Sequence, residues 1–290
     1  MPELPEVEMT ARLIDAEFRG ATIDSALAPG INALKSFDPP LDALAGSSVL
    51  AVRRRGKHLI LDSDRGLSLL MHLMSAGRLQ LYEKRAGPRD RTSRLLVRLQ
   101  MQGRDSEAPR EWELRLREFG SRQAAWVKLL QSEQLEQDES LARLGPEAWP
   151  DTPDLSEALA VPRPLNALLR DQRTIAGIGR SWADEILWEA KLSPYKRGAD
   201  LETRELTDLQ EAIAKSFGEA IAHYEQSLKL PIPDKLPMPL RVHGRAGEPC
   251  PRCGTTLLAV HFEQHVIAYC PACQTGGRAL KDRRLSRLLK

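Results

Sequence analysis

The sequence is poor in cysteine, with four among 290 residues, and poor in aromatics at 5%. None of the four cysteines stands alone. They form two Cys-x2-Cys pairs, Cys250 with Cys253 and Cys270 with Cys273, and sixteen residues separate the pairs. The chain also lacks any apolar run approaching the ~20 residues of a membrane-spanning helix, which excludes that architecture. Its opening Met-Pro-Glu starts no apolar export signal, so the expected compartment is reducing and the pairs are expected to hold metal in place of two disulfides. Tetrahedral zinc takes four thiolates, and two Cys-x2-Cys turns facing each other across a hairpin supply them. One structural zinc ion is therefore predicted, with no coordination position left for a catalytic water. A one-signed charge is lacking too, since the net charge is +2. That balance hides an asymmetry. Residues 131–160 hold eight acidic residues against Arg143 alone, whereas residues 241–290 hold nine Lys or Arg against three Asp or Glu. Such a distribution suits one polyanion-facing side, although ordinary surface variation gives the same counts.

With 290 residues and 42% apolar content, the chain can bury real cores and is expected to form two domains. Val7, Ala11, Ile14 and Phe18 recur at helical spacing, Pro5 is tolerated in a first turn and Gly20 offers a stop, which predicts a helix over 3–18. From 47 to 130 the pattern becomes short β segments, at 47–52, 58–61, 67–73, 78–82 and 93–101, and two more follow. In the first of these two, Trp112, Leu114 and Leu116 alternate with Glu113, Arg115 and Arg117 as in a half-buried strand. Short turns such as Asp64-Arg65-Gly66 make an antiparallel sandwich or barrel the natural closure. The acidic, Pro-containing stretch 131–164 reads as helix pieces and a connector. Residues 165–228 read as helical, broken at Thr174–Gly179 between helices over 165–173 and 180–191. Pro231, Pro233, Pro237 and Pro239 make 229–240 a loop.

Several residue groups carry chemistry. Removal of Met1 frees the nitrogen of Pro2 as a secondary amine, and an α-amine of pKa ~8 keeps about a tenth of its population neutral at pH 7, able to attack carbon. Glu3 and Glu6, three apart, fall near the same helix end, where one carboxyl can protonate a leaving group or sugar oxygen. The plainer alternative is a Pro-rich helix start whose acids favour the helix dipole. Arg53-Arg54-Arg55-Gly56-Lys57-His58 is a basic cluster at a turn, suited to phosphate or simply solvated. Arg117 and Phe119 place a cation and a ring at a strand end, types that fill the gap left by an extruded base, or else edge charge and core. Gly177-Ile178-Gly179 between two helices can present backbone N–H groups to phosphate. His72 and His243 lie near these elements without zinc-ligand spacing and default to polar or core roles.

Taken in order along the chain, Met1–Glu8, Gly56-Lys57, Leu168–Gln172 with Ile175–Gly179, Ala183–Leu187, His243–Cys250 and Tyr269–Gln274 resemble the formamidopyrimidine-DNA glycosylase and endonuclease VIII family of base-excision repair enzymes. The resemblance spans nearly the whole chain. It implies an α+β fold: a catalytic helix and β-sandwich over 1–130, an acidic connector over 131–164, a helix-two-turn-helix domain and loop over 165–240, a zinc-finger β-hairpin over 241–275 and a basic tail over 276–290. It further implies a bifunctional DNA glycosylase and abasic-site lyase, with Pro2 the nucleophile that forms a Schiff base, Glu3 the general acid, Glu6 a supporting carboxylate and Lys57 a phosphate-binding residue. Arg55, His72, Arg117, Phe119, Gly177, Gly179, Arg180, Arg245 and His265 become candidate DNA contacts. The implied partner is damaged double-stranded DNA lying in a cleft, with no nucleotide cofactor and no membrane, for a monomer in a bacterial cytoplasm. Four departures stand out. Arg180 replaces the family's Asn after the Gly-Ile-Gly turn, His265 stands where an Arg precedes the Tyr-Cys pair, and the usual plugging Met is displaced to Met74 or missing. The 229–240 loop is also shorter than the family's lesion cap. These departures keep a second class open, a damage-binding protein with reduced or no turnover. Arg278, Lys281, Arg283, Arg284, Arg287 and Lys290 make the tail basic, as an extra backbone contact or a solvated end.

Overall fold

The computed structural model describes every residue except 1, 31, 88–89, 102–109, 120–122, 235, 263–264 and 283–290. Two compact units emerge, one of residues 1–143 with 223–237, the other of residues 144–222 with 238–290.

The first unit begins with α1 (Leu4–Phe18), one residue shorter than the helix expected over 3–18, because Glu3 is its N-cap. Val7, Ala11, Ile14 and Phe18 are buried on one face of this helix, as the spacing predicts. That face joins the core of an antiparallel β-sandwich. One sheet has the order β1-β6-β7-β5 and the other β2-β3-β4-β8, with β1 at Thr22–Leu27, β2 at Val49–Arg55, β3 at His58–Ser63, β4 at Leu67–His72, β5 at Gly77–Tyr82, β6 at Ser93–Met101, β7 at Arg110–Glu118 and β8 at Trp126–Gln131. Leu59, Leu61, Leu69 and Met71 of one sheet and Leu79, Leu95, Val97, Leu114 and Leu116 of the other fill this core with the helix. β1 escapes the alternation rule, since Thr22–Leu27 carries the mixed burial of an edge strand. The basic cluster is also displaced from its expected turn, because Arg53, Arg54 and Arg55 are the last residues of β2 and pair with β3. Only Gly56 and Lys57 make the turn, and Gly56 has the positive φ of 58° that such a tight reversal demands.

The connector contains a short 3-10 turn at Ser132–Gln137 and two one-turn helices, α2 (Glu139–Ala142) and α3 (Ser156–Leu159). The second unit then builds on α4 (Leu165–Arg170), α5 (Arg180–Glu189) and α6 (Thr203–Ser227). α4 stops three residues earlier than the periodicity predicts, as Asp171 leaves helical geometry and its side chain accepts the Arg173 N–H at 3.2 Å. Leu168, Leu169, Ile178, Trp182, Ile186, Ile213 and Phe217 are buried, and the Trp182 and Phe217 rings meet edge to face at 5.6 Å. The final turn of α6 and the segment to 237 belong to the first unit, where Ile232 is buried in the sandwich core. Beyond 237 the second unit closes with the hairpin of β9 (Leu258–Phe262) and β10 (His265–Tyr269), followed by α7 (Pro271–Thr275).

Candidate functional site

In the first unit, Pro2 is buried and leads directly into α1. Glu3 and Glu6 are each only 1% exposed, an arrangement that is costly unless both carboxylates are hydrogen-bonded. They form a capping box: the Glu3 side chain accepts the backbone N–H of Glu6, and Glu6 Oε2 accepts the N–H of Glu3 at 2.8 Å. Glu6 Oε1 accepts the Tyr224 hydroxyl at 2.9 Å. Tyr224 is fully buried, and burial together with the Glu6 and Glu3 carboxylates drives its ionisation far above the ordinary tyrosine range, so it remains a donor. One turn further on, Glu8 accepts Arg12 at 2.7 Å and Arg54 at 2.8 Å, which ties the end of β2 to the helix.

Two of the three clustered arginines are thereby committed inside the unit, Arg54 to Glu8 and Arg53 to Asp62 at 2.7 Å. Arg55 is half-buried and Lys57 is 8% exposed in the turn beyond it. His72 stacks on Trp126, with ring centres 5.7 Å apart and planes 9° apart, and meets His58 edge-on at 4.6 Å. Burial, aided by His58 and Lys57, lowers the His72 pKa to about 3, and burial lowers that of His58 to about 4. His72 is therefore neutral, and its Nδ1 accepts the Met74 N–H at 3.0 Å. Met74 itself takes a positive φ of 50° in this turn. Arg117 and Phe119 are together as expected, the guanidinium 4.6 Å from the centre of a ring that is 42% exposed. Thr92 and the Tyr82 hydroxyl accept from Arg117 at 2.9 and 2.6 Å and fix its direction.

In the second unit, Gly177 has a φ of 106°, a conformation that favours glycine, while Gly179 caps α5 and Arg180 is exposed at its first position. The Gly177 amide, expected to face phosphate, donates to Gln172 Oε1 at 3.0 Å, and Gln172 Nε2 donates to the Ile178 carbonyl at 2.7 Å. This leaves the turn rigid and Arg180 as its exposed cation. Arg245 is exposed but pairs with Glu248 at 2.7 Å, and His265 opens β10. The remainder of the basic tail after Asp282, including Arg283, Arg284, Arg287 and Lys290, lies outside the described residues.

The thiol sulfurs of Cys250, Cys253, Cys270 and Cys273 all lie within 4.8 Å of one another. Cys253 lies 3.5 Å from both Cys270 and Cys273, far beyond the ~2.05 Å of a disulfide and close to the ~3.8 Å edge of a tetrahedron with Zn–S bonds of 2.3 Å. Burial and the neighbouring thiols push the Cys270 thiol up to about 12, an environment that a cation relieves. This donor set fits one structural zinc ion. Trp188 Nε1 donates to Cys250 Sγ at 3.3 Å, so α5 supports the metal ligands from outside.

Four residues escaped sequence reasoning. Gln172 lay in the Leu168–Gln172 stretch of the resemblance without a role of its own, and Tyr224 carried no local pattern. Asp184 and Glu185 did carry one, two adjacent acids inside an apolar helix. Glu185 accepts the backbone N–H groups of Arg241, Val242 and His243 at 2.8–2.9 Å. Asp184, pushed up to about 6 mainly by burial, meets His243 Nδ1 at 2.7 Å and accepts the Ala268 N–H at 3.0 Å. Of the polar or core roles assigned by default to His243, the structure gives the polar one, with the half-buried imidazole set against the buried Asp184 carboxyl.

Three family models match the chain in order: the formamidopyrimidine-DNA glycosylase N-terminal domain over residues 1–121, the H2TH domain of the same enzyme over 145–231 and the zinc finger found in FPG and IleRS over 247–276. An uncharacterized formamidopyrimidine-DNA glycosylase-like protein of Mycobacterium tuberculosis is 43% identical over 149 residues, 51% of this chain and 94% of that protein. The formamidopyrimidine-DNA glycosylase of Desulfitobacterium hafniense is 31% identical over 94% of this chain and its own full length. Among solved structures, the Lactococcus lactis enzyme bound to DNA containing an N7-benzyl-Fapy-dG superimposes with a TM-score of 0.82 at 26% identity, covering 94% of this chain and 100% of that one. The same enzyme with abasic-site DNA gives 0.81 at 26% identity, covering 94% and 99%. With its β-sandwich, helical region and four-cysteine hairpin in that order, the chain belongs to the formamidopyrimidine-DNA glycosylase family.

Proposed function

We propose that the chain is a DNA glycosylase with abasic-site lyase activity, removing oxidised or ring-opened bases from double-stranded DNA through Pro2 and Glu3. The observation that carries this reading is the pair of carboxylates, each 1% exposed, at the cap and in the first turn of the helix that follows a buried Pro2. A helix start that only needed capping is served by exposed Ser, Thr or Asp, with no reason to bury two acids. The Lactococcus lactis relative is solved with both a Fapy-type lesion and an abasic site in its DNA, which supports this substrate class.

With Met1 removed, the neutral Pro2 nitrogen attacks C1′ of an extruded nucleotide. The new N–C1′ bond forms as the bond to the base breaks, the base taking the bonding pair and a proton. Glu3 delivers a proton to the ring oxygen, the C1′–O bond opens, the amine proton is released and an iminium results. Its positive charge acidifies the neighbouring C2′, and loss of that proton expels the 3′ phosphate. A second proton loss expels the 5′ phosphate. Lys57 and Arg55 serve the phosphates flanking the lesion, and Arg117 with Phe119 the space left in the duplex.

Borohydride trapping on abasic-site DNA tests the reading, with protein whose intact mass places Pro2 first. A covalent adduct is expected, and it should vanish in Pro2→Gly. Tight binding of abasic-site DNA without an adduct in the wild-type protein overturns the lyase assignment and leaves a damage-binding protein.

A further inference from the structure

We infer that Tyr224, at the far end of α6, is a positioning residue for the N-terminal reaction centre, holding the Glu6 carboxylate and through it the Glu3–Pro2 end of α1. The chain of contacts is short. The Tyr224 hydroxyl donates to Glu6 Oε1 at 2.9 Å, and Glu6 Oε2 accepts the Glu3 backbone N–H at 2.8 Å. Each oxygen of Glu6 therefore has a fixed donor, and the group it receives from on one side is the residue bonded to Pro2. Tyr224 is 0% exposed and Glu6 1%, so neither partner exchanges for water.

The rest of the surroundings gives the hydroxyl a specific task. Glu3 and Arg78 act electrostatically on this pair, Glu3 on Tyr224 and Arg78 with Glu6. Arg78 is itself held elsewhere, donating to the Asp234 and Gly77 carbonyls at 2.8 and 2.7 Å. A hydrogen bond donated to a buried carboxylate favours its charged, acceptor-only form, the form that can hold the Glu3 N–H. A protonated Glu6 loses that capacity on one oxygen and loosens the capping box. Tyr224 thus ties the C-terminal turn of one helix to the first residues of another, 218 positions apart in sequence.

This inference rests on the lyase reading for its functional consequence, and Tyr224→Phe tests it while preserving the ring that fills the core. Two measurements separate the failures. The first is carbon-13 NMR titration of the Glu6 carboxyl in free protein, with Glu8 as an internal reference. Its midpoint is expected to rise in the variant while that of Glu8 stays in place, and coincident Glu6 curves overturn the inference regardless of activity. The second is the pH profile of borohydride trapping. The variant should trap roughly tenfold to a hundredfold more slowly at neutral pH, with its acid limb displaced upward. A raised Glu6 midpoint beside a trapping profile identical to wild type also overturns it. Wild-type protein that traps nothing, with the Glu6 midpoint raised in the variant, upholds Tyr224 as the holder of Glu6 and fails the lyase reading instead.

Discussion

His72 shows how a single residue can be conspicuous in the sequence and yet do something other than its type suggests. As a cationic DNA contact it would need a proton, but burial against Trp126 and His58 lowers its pKa from 6.5 to about 3. A neutral His72 still offers its second ring nitrogen to a phosphate as a hydrogen-bond donor, because Nδ1 is already the acceptor for Met74. The same burial makes a stability prediction. The folded-state pKa lies below the unfolded one, so the contribution is complete above pH 6.5 and is lost as the pH falls towards 3. Between pH 7 and pH 4 the loss from His72 alone is on the order of 3 kcal/mol. Urea unfolding of His72→Phe, which keeps a stacking ring without a titrating group, should show a correspondingly smaller difference between those two pH values. An equal difference in wild type and variant removes His72 from the acid response of the fold.

Among the elements, α5 does more than pack, for its inner face supports the zinc hairpin at three points. Glu185 collects three backbone N–H groups of 241–243, Asp184 holds His243 and Ala268, and Trp188 donates to Cys250. Groups that hydrogen-bond a metal ligand from outside tune affinity by roughly tenfold to a hundredfold. Competition titration with a chelator should therefore show zinc bound about tenfold more weakly by Trp188→Phe, with the helical circular-dichroism signal retained; unchanged zinc affinity would leave the indole as packing only. The contrast between α5 and α1 also explains what the sequence could reveal. Val7, Ile14 and Phe18 declare a helix face because their spacing is local, and the two Cys-x2-Cys turns declare a metal because each turn is complete in four residues. The strands from β2 to β7 are legible for the same reason. β1 is not, because its burial follows no period of two. The partners of Tyr224 and Glu185 are illegible in principle, even where an acid pair inside an apolar helix marks Glu185 itself: the first meets Glu6 from 218 residues away and the second meets backbone amides 56–58 residues on. Nothing in either residue's neighbours records that partner. The arginines of β2 failed in the opposite sense, since a local cluster looked available for phosphate while Glu8 and Asp62 had already engaged two of its members.

For the whole molecule the question is what the metal supports. No described helix is long and apolar enough to cross a membrane. The helical content resides mainly in α1, α5 and α6, and the core around α1 contains none of the four cysteines. The hairpin of β9 and β10 is different, for it has only a small apolar cluster of Val260, Ile267 and Tyr269 and is bracketed by the two thiol pairs. α7 begins at Pro271 between Cys270 and Cys273, and its Gln274 bonds the Cys270 amide and the Leu192 carbonyl at 2.8 and 2.9 Å. Removing zinc leaves four crowded thiols, with Cys270 pushed up to about 12, and the hairpin then loses the ion that ties its two thiol pairs together. Chelation is therefore expected to weaken binding of abasic-site duplex by about tenfold or more while the far-ultraviolet helical signal changes little. The loss should be largest at moderate salt, where the hairpin's basic surroundings contribute least through simple counterion release and orientation matters most. Filter binding or fluorescence anisotropy across a salt series, before and after chelation and again after zinc is restored, checks each part. Metal-free protein that binds with undiminished affinity would make the hairpin a bystander to DNA. Recovery on adding zinc, together with an unchanged helical signal throughout, locates the metal's contribution in the geometry of residues 250–273 and separates it from the stability of the sandwich that presents Pro2.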